Sequence, residues 1–406
     1  LNDVTTRLPI RILYVCPYYK PAYVYGGPVR CFSNSCEGLV ELGVQVTVFT
    51  TNANGSSTLD VPLQQPMDIN GVTVWYFPLT FNGLSFFYSR PLAEAVRCQV
   101  SNYDLVVNTA LYGHSLIPTA KACTNACVPY VIPPHGQLFP WAMEEKRLKK
   151  KIYLELFGRY WVNRAAAIHC TDPSEAEAVA KLMVRPPVFV VPNVIRASSF
   201  STYHEQGYFR RQLGVADNAE LMIFVGRITR IKRPDIAVDA LAAAQSLKRE
   251  IHLVIVGPDE DGLMHQLQTQ ARNLGCQDRL HFTGLLGMEG VVSALADADL
   301  LLMPSEITEN FGVSAVEAMA AGVPILVSVG VPVGRWAEQV GAGRVVPCTP
   351  NAFAKAAVEI LSDHSTLKEM GKRGRELARE RFDISVVARQ MLAQYESIIE
   401  TGKPLP

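Results

Sequence analysis

Short apolar runs of strand length alternate along this chain with longer segments whose apolar positions recur every three to four residues. The pattern predicts strands at residues 11–16, 44–50, 72–77, 104–108, 130–133, 166–170 and 188–191, then a second series at 221–226, 252–257, 280–283, 300–303, 324–328 and 343–346. Strands separated by helical segments mark βαβ units, whose strands pair in parallel, and each series is large enough for a doubly wound sheet of its own. Between the two, residues 193–207 (NVIRASSFSTYHEQG) keep neither period and gather small and polar side chains, as a domain boundary does. The closing stretch FDISVVARQMLAQYESIIE reads as one amphipathic helix with Val387, Met391, Leu392 and Tyr395 on a shared face.

A chain of 406 residues exceeds what one hydrophobic core usually supports, so two domains are expected. With 49% hydrophobic and 19% charged residues the composition is that of a globular protein with a large interior. Lys plus Arg and Asp plus Glu are equal at 38 each, so no overall field draws the chain to nucleic acid, and any polyanion site must be local. The nine cysteines are scattered without a CxxC: Cys16 and Cys170 sit in apolar runs, Cys31 and Cys36 in helical segments. Cys123 and Cys127, one helical turn apart, read as small apolar residues on a helix face, and the set as a whole suggests a reducing, cytoplasmic compartment. The first apolar run is strand-length and lacks the basic flank of a signal peptide. No run approaches the ~18–20 residues that span a bilayer, so membrane contact is expected to be peripheral at most.

Candidate chemistry gathers where predicted strands end. SEITENFGVSAVEAMAAG follows the strand LLLMP and carries Glu309 in a turn-rich segment with Asn310 and Gly312, then Glu317 on the next helix. A helix starting near Gly312 would offer unsatisfied N–H groups and a positive dipole end to an anion such as a diphosphate. Carboxylates beside that terminus could accept from sugar and ribose hydroxyls; alternatively Glu309 is a solvated loop acid and Glu317 a surface residue, although an acid in so apolar a helix needs a partner. VGRITRIKRPD places Arg227 directly after a strand and Lys232 before the next helix, two cations suited to a departing diphosphate, whereas Arg230 and Arg233 read equally well as solvated. Gly26 and Gly27 precede a helix in the first half, where consecutive glycines allow close backbone approach or simply a turn. No G-x-G-x-x-G follows the first strand, which argues against a dinucleotide-dependent dehydrogenase. His135, in VIPPHGQLFPW, stands just beyond a strand and is either a ligand contact or a structural histidine. Residues 144–164 combine Lys146, Arg147, Lys149, Lys150 and Lys151 with Tyr153, Phe157, Tyr160 and Trp161. This is either a solvated helix with an aromatic inner face or a surface for an anionic membrane or phosphate-linked acceptor.

Taken together these segments resemble glycosyltransferase family 4, the retaining enzymes of GT-B fold, across most of the chain. VGRITRIK is similar to that family's Arg-x4-Lys element at Arg227 and Lys232, and ENFGVSAVE to its Glu-x7-Glu element at Glu309 and Glu317; the GGP loop, the PHG segment and the C-terminal FD-initiated helix also occur where the family has them. The resemblance implies two Rossmann-like domains facing across a cleft: residues 1–196 for the acceptor, 197–382 for the donor, and 383–406 as a helix returning to the N-terminal domain. It implies that Arg227 and Lys232 bind the donor diphosphate, Glu309 faces the sugar, and Glu317 holds the ribose. Asn310, Phe311, Gly312 and Val313 would complete the donor site, with Gly26, Gly27 and His135 closing it from the other domain. PHGQLFPWAM further resembles enzymes that assemble bacterial envelope and exopolysaccharides. Two departures stand out: Arg233 occupies the position of the family's usual glycine, and VPVGRWAEQ replaces a glycine-richer loop.

The expected activity is metal-independent, retaining transfer of a hexose from a nucleoside-diphosphate-sugar, UDP-glucose by family frequency, to a glycan or polyprenyl-diphosphate-linked acceptor in polysaccharide synthesis. No cofactor and no metal site are expected, and the location would be cytoplasmic, with residues 144–164 available for the inner face of the plasma membrane. Fixed charges would stabilise the leaving diphosphate, which would take the acceptor's proton during same-face attack. Three rivals share parts of the pattern: a nucleotide-sugar epimerase, a two-lobed sugar-binding protein without catalysis, and a PLP-dependent phosphorylase.

Overall fold

The computed structural model describes residues 9–81, 86–144, 152–153, 158–200, 207–307 and 309–405. The chain divides into two compact units, Leu1–Val194 with Ile384–Pro406, and Ile195–Asp383.

The first unit contains β1 (Arg11–Val15), β2 (Gln45–Thr51), the short pair β3 (Ala53–Asn54) and β4 (Ser57–Thr58), β5 (Pro66–Ile69), β6 (Val72–Phe77), β7 (Leu105–Asn108), β8 (Tyr130–Ile132), β9 (Ala167–Cys170) and β10 (Val188–Val190). Eight of these form one sheet in the order β10-β9-β8-β7-β1-β2-β6-β5. Every pairing is parallel except that of β5 with β6. All seven strands expected from apolar runs in this half are present. The unexpected β3, β4 and β5 are short, and β5, at the sheet edge, is interrupted by Asp68 and has no wholly buried position, so no apolar run announces it.

Ile12 of β1 lies between Val46 of β2 and Leu105 of β7, so the strand order reverses beside β1. Loops leaving the carboxyl ends of such neighbours diverge and open a crevice. The helix Ile384–Thr401 belongs to this unit. Its Val387, Met391 and Tyr395 are buried in the same core as Ile12, Val46 and Val74, each such side chain contributing ~1.5–3 kcal/mol. A Cβ at Gly38, on the helix Gly27–Glu41, would meet Ile384 Cγ1 at 2.7 Å and Ala388 Cβ at 2.8 Å, so the close helix pairing requires glycine there. Cys127 departs from expectation: it is exposed in the left-handed cap after the helix Leu116–Ala126, while Cys123 is buried on the helix itself.

The second unit contains β11 (Glu220–Val225), β12 (Ile251–Val256), β13 (Leu280–Gly284), β14 (Leu300–Met303), β15 (Ile325–Ser328) and β16 (Gly343–Val346). They form an all-parallel sheet in the order β13-β12-β11-β14-β15-β16. Helices cover both faces, and the central strands are correspondingly rich in buried apolar residues, as in LMIFV of β11 and LLLM of β14. The order reverses between β11 and β14.

Candidate active site

The reversal between β11 and β14 decides where chemistry can sit in the second unit, because the loops leaving these two strands part company there. β11 runs into Gly226 and then Arg227, whose exposed guanidinium meets Glu260 Oε2 at 2.8 Å. Gly257, after β12, has φ +146°, and a Cβ on it would lie 1.9 Å from the Gly226 carbonyl; only glycine lets these two strand ends approach. The turn Arg230–Lys232 then presents Lys232, and Arg233 precedes the helix Pro234–Ala244 with φ +49°. That left-handed backbone accounts for a glycine being usual at this position in the family resembled. Arg233 is held there by a fork onto Asp235, with contacts of 2.8 to 3.1 Å.

From the other strand, β14 leads through Pro304 and Ser305 to Glu309. Lys232 Nζ and Glu309 Oε1 are 2.6 Å apart, and the side chains are only 18% and 13% exposed. The Ser305 hydroxyl donates to the same carboxylate oxygen. Backbone straps hold the segment: the Glu309 amide donates to Gly330 carbonyl at 2.7 Å, the Val333 amide to Phe311 carbonyl at 3.2 Å, and the Ser328 hydroxyl to Ser305 carbonyl at 2.6 Å. Two charges kept this far from water need close, well-oriented partners, which Lys232, Glu309 and Ser305 are for one another.

Gly312 caps the helix Val313–Ala321 in the left-handed region, φ +95°, and a Cβ there would strike Val331 Cγ1 at 2.7 Å. Glu317 lies in the second turn of that helix and is 2% exposed, so it is not a surface acid. Asn310 and Val313 are half-buried. Phe311 is a core side chain, edge-on to Phe382 at 5.4 Å, so any ligand contact it makes must run through its main chain. Two participants escaped the sequence reading: Ser305 and Glu260. Both follow the carboxyl end of a parallel strand, the one signal that could have found them.

In the first unit, Gly26 (φ +69°) caps the helix Gly27–Glu41, and a Cβ on either Gly26 or Gly27 would meet nothing within 4 Å. The space over this helix start is open. His135 follows β8 with φ +46°, its ring edge-on to Phe32 of that same helix at 4.8 Å. Its pKa is pushed down to about 3 by burial, with a further lowering from His169. His169 is pushed down to about 4 by burial, against the effect of its hydrogen bond with the Val191 carbonyl at 2.9 Å, in which the Nε2–H donates. Both rings are therefore neutral near pH 7. Of the expected basic and aromatic segment, Lys146, Arg147, Lys149, Lys150, Lys151 and Phe157 lie outside the described residues. Tyr160 is exposed, with Arg164 stacked on its ring at 3.8 Å. Among the described residues no helix is long and apolar enough to cross a membrane, and no group of three His, Cys, Asp or Glu side chains could hold a metal ion.

Comparisons with known proteins bear on family and fold. Residues 206–377 match the family model "Glycosyl transferases group 1", and residues 26–194 match "Glycosyl transferase 4-like domain". An uncharacterized glycosyltransferase of Methanocaldococcus jannaschii is 25% identical over 96% of this chain and 99% of its own length. A D-inositol 3-phosphate glycosyltransferase of Kribbella flavida is 33% identical, but over only 48% of each chain. Among solved structures, Anabaena HepE in complex with UDP and glucose superposes with a TM-score of 0.77 at 21% identity, over 96% of this chain and 100% of that one. The sucrose-phosphate synthase of Thermosynechococcus elongatus does so with a TM-score of 0.72 at 21% identity, over 97% and 100%. The fold is therefore GT-B, with two Rossmann-like units.

Proposed function

Because this chain belongs to the glycosyltransferases, with a 4-like domain ahead of a group 1 domain, we propose that it transfers a hexose from UDP-glucose with retention of configuration and without a metal. The observation that carries this reading is the Lys232–Glu309 pair at the switch point of the second unit, beside the helix start at Gly312. A lysine, an arginine two residues from a strand end and a helix N-terminus supply fixed positive charge where a diphosphate would leave. UDP as the carrier is supported by the bound UDP and UDP-glucose of HepE.

In this reading the diphosphate competes with Glu309 for Lys232. Released from the lysine, Glu309 is free to accept from a sugar hydroxyl, while Glu317 on the helix accepts from the ribose. Arg227 exchanges Glu260 for phosphate oxygens, and Asn310, Gly312 and Val313 line the donor. In the first unit, Gly26, Gly27 and His135 are assigned ligand contacts. A neutral His135 can donate or accept a hydrogen bond but brings no charge, so stabilisation of the leaving group falls to the second unit. The departing phosphate takes the acceptor's proton as the new glycosidic bond forms on the face the leaving group vacates. The acceptor is a glycan or a polyprenyl-diphosphate-linked sugar of polysaccharide synthesis, reached through peripheral membrane contact by residues 144–164.

UDP release from UDP-glucose, measured in EDTA with Arg227→Ala and Lys232→Ala alongside wild type, tests the assignment. Near-normal turnover in both variants would sink it. The anomeric configuration of the product, read by NMR, tests retention, and an epimer formed from donor alone would point to an epimerase instead.

A further inference from the structure

One loop of the first unit is braced by a carboxylate to which the donor reading gives no task. Asp172 caps the helix Pro173–Ala180, accepting from the Ser174 amide at 2.8 Å, and Glu175 stands in its first turn, 0% exposed. Glu175 Oε2 accepts from the Thr171 amide at 2.8 Å and the Thr171 hydroxyl at 3.0 Å. This is a local reach-back like that of a capping box, taken one residue further to the amide ahead of the cap, and one oxygen suffices for it. Oε1 instead accepts from the Gly136 amide, 39 residues away on the loop that follows β8.

That amide belongs to the central peptide of the turn 134–137, which is closed by the Gln137 amide donating to the Pro134 carbonyl at 3.0 Å. His135 and Gly136 have φ +46° and +79°, the primed arrangement in which both central residues are left-handed. A non-glycine residue holds that conformation only where its surroundings impose it. In a trans peptide the Gly136 N–H and the His135 carbonyl point in opposite directions. A carboxylate that fixes the first therefore fixes the second, and with it the backbone that carries the imidazole. Burial raises the pKa of Glu175 while the amides of Thr171 and Gly136 and the Thr171 hydroxyl work against that rise, so the acid is kept at a solvation cost that capping alone does not require.

We propose that Glu175 is a positioning residue for sugar transfer, holding the His135 peptide in its working orientation through the Gly136 amide. The inference rests on the transfer reading above. Glu175→Gln keeps the shape but sets an NH2 against one of the three donors. In that variant the Gly136 amide is expected to exchange with solvent at least about tenfold faster by NMR, because its acceptor is lost. UDP release from UDP-glucose is expected to fall roughly 10- to 100-fold in kcat, with KM for UDP-glucose moving less than about threefold. Asp172→Ala is the comparator. It removes the cap of the same helix and lowers Tm, yet should leave Gly136 exchange and kcat within about twofold of wild type. If the glutamine variant does not fold, Glu175→Asp, one carbon shorter, keeps Thr171 and loses the reach to Gly136, and is read the same way. Wild-type kcat in the Glu175 variant, or an equal loss in the Asp172 variant, overturns the proposal. Should wild type itself turn over no UDP-glucose, the transfer reading fails separately; unchanged Gly136 exchange in the Glu175 variant then overturns the positioning role.

Discussion

Lys232 and Glu309, 77 residues apart and carried on the loops of different strands, are joined at 2.6 Å with little exposure to water. Each neutralises the other at the switch point of the second sheet. A donor diphosphate would have to break this pair, so the two residues are expected to act as a unit. Lys232→Ala and Glu309→Gln should each lower kcat/KM for UDP-glucose by ~10²–10³. The double variant should lose far less than the product of the two, and independent losses in a double-mutant cycle would contradict the coupling.

Removing one partner also leaves the other charge unpaired. Lys232→Ala is expected to cost about 3 kcal/mol of stability, more than Lys232 and Glu309 exchanged together for a neutral pair of similar size. Denaturant unfolding of the single and double variants reads the difference.

Glu317 should separate from Glu309 in kinetics. Its carboxylate sits within an otherwise apolar helix, consistent with holding the nucleoside end of the donor. Glu317→Ala is expected to raise KM for UDP-glucose by about tenfold or more with a smaller change in kcat, whereas Glu309→Ala lowers kcat as well. The reverse pattern would exchange their roles.

The two sheets, the thirteen strands expected from apolar runs and the C-terminal helix were legible in the sequence because strands of a mostly parallel, helix-covered sheet read as mostly apolar runs. β5 was not, because an antiparallel edge strand such as PMDI needs no such run. At the site, the residues following β11 and β14 could be named from strand ends. Their pairing could not, since which strands are neighbours is a property of topology. Glu175 was invisible for a related reason: its signature, an acid in a first helical turn, is that of any capping box, and its second partner lies 39 residues away.

Gly312 and Arg233 test the backbone of the site. Gly312→Ala must place a Cβ 2.7 Å from Val331 Cγ1 at φ +95° and is expected to destabilise by ~2 kcal/mol or more. Arg233→Gly relieves the left-handed strain as it loses the Asp235 fork, so its unfolding free energy should stay within about 1 kcal/mol of wild type, with Arg233→Ala, which loses the fork and keeps the strain, clearly worse.

The neutral histidines give a pH dependence of defined sign. His135 and His169, pushed down to about 3 and about 4, start from an ordinary value of 6.5. As pH falls through 6.5 the unfolded chain binds protons that the folded chain refuses, so their stabilising contribution, complete above that value, is progressively lost. Glu175 acts in the opposite sense nearer its ordinary 4.5, and the histidine effect is cleanest between about pH 7 and 5.5. Tm should fall over that interval, and His169→Gln should flatten the slope.

The second unit is expected to bind a nucleoside diphosphate through Lys232. Calorimetric titration of UDP in EDTA into wild type and Lys232→Ala measures it directly. Binding by wild type, weakened about 100-fold or more in the variant, is the expected result. No UDP binding by wild type, or equal affinity in the two proteins, would overturn the role given to Lys232.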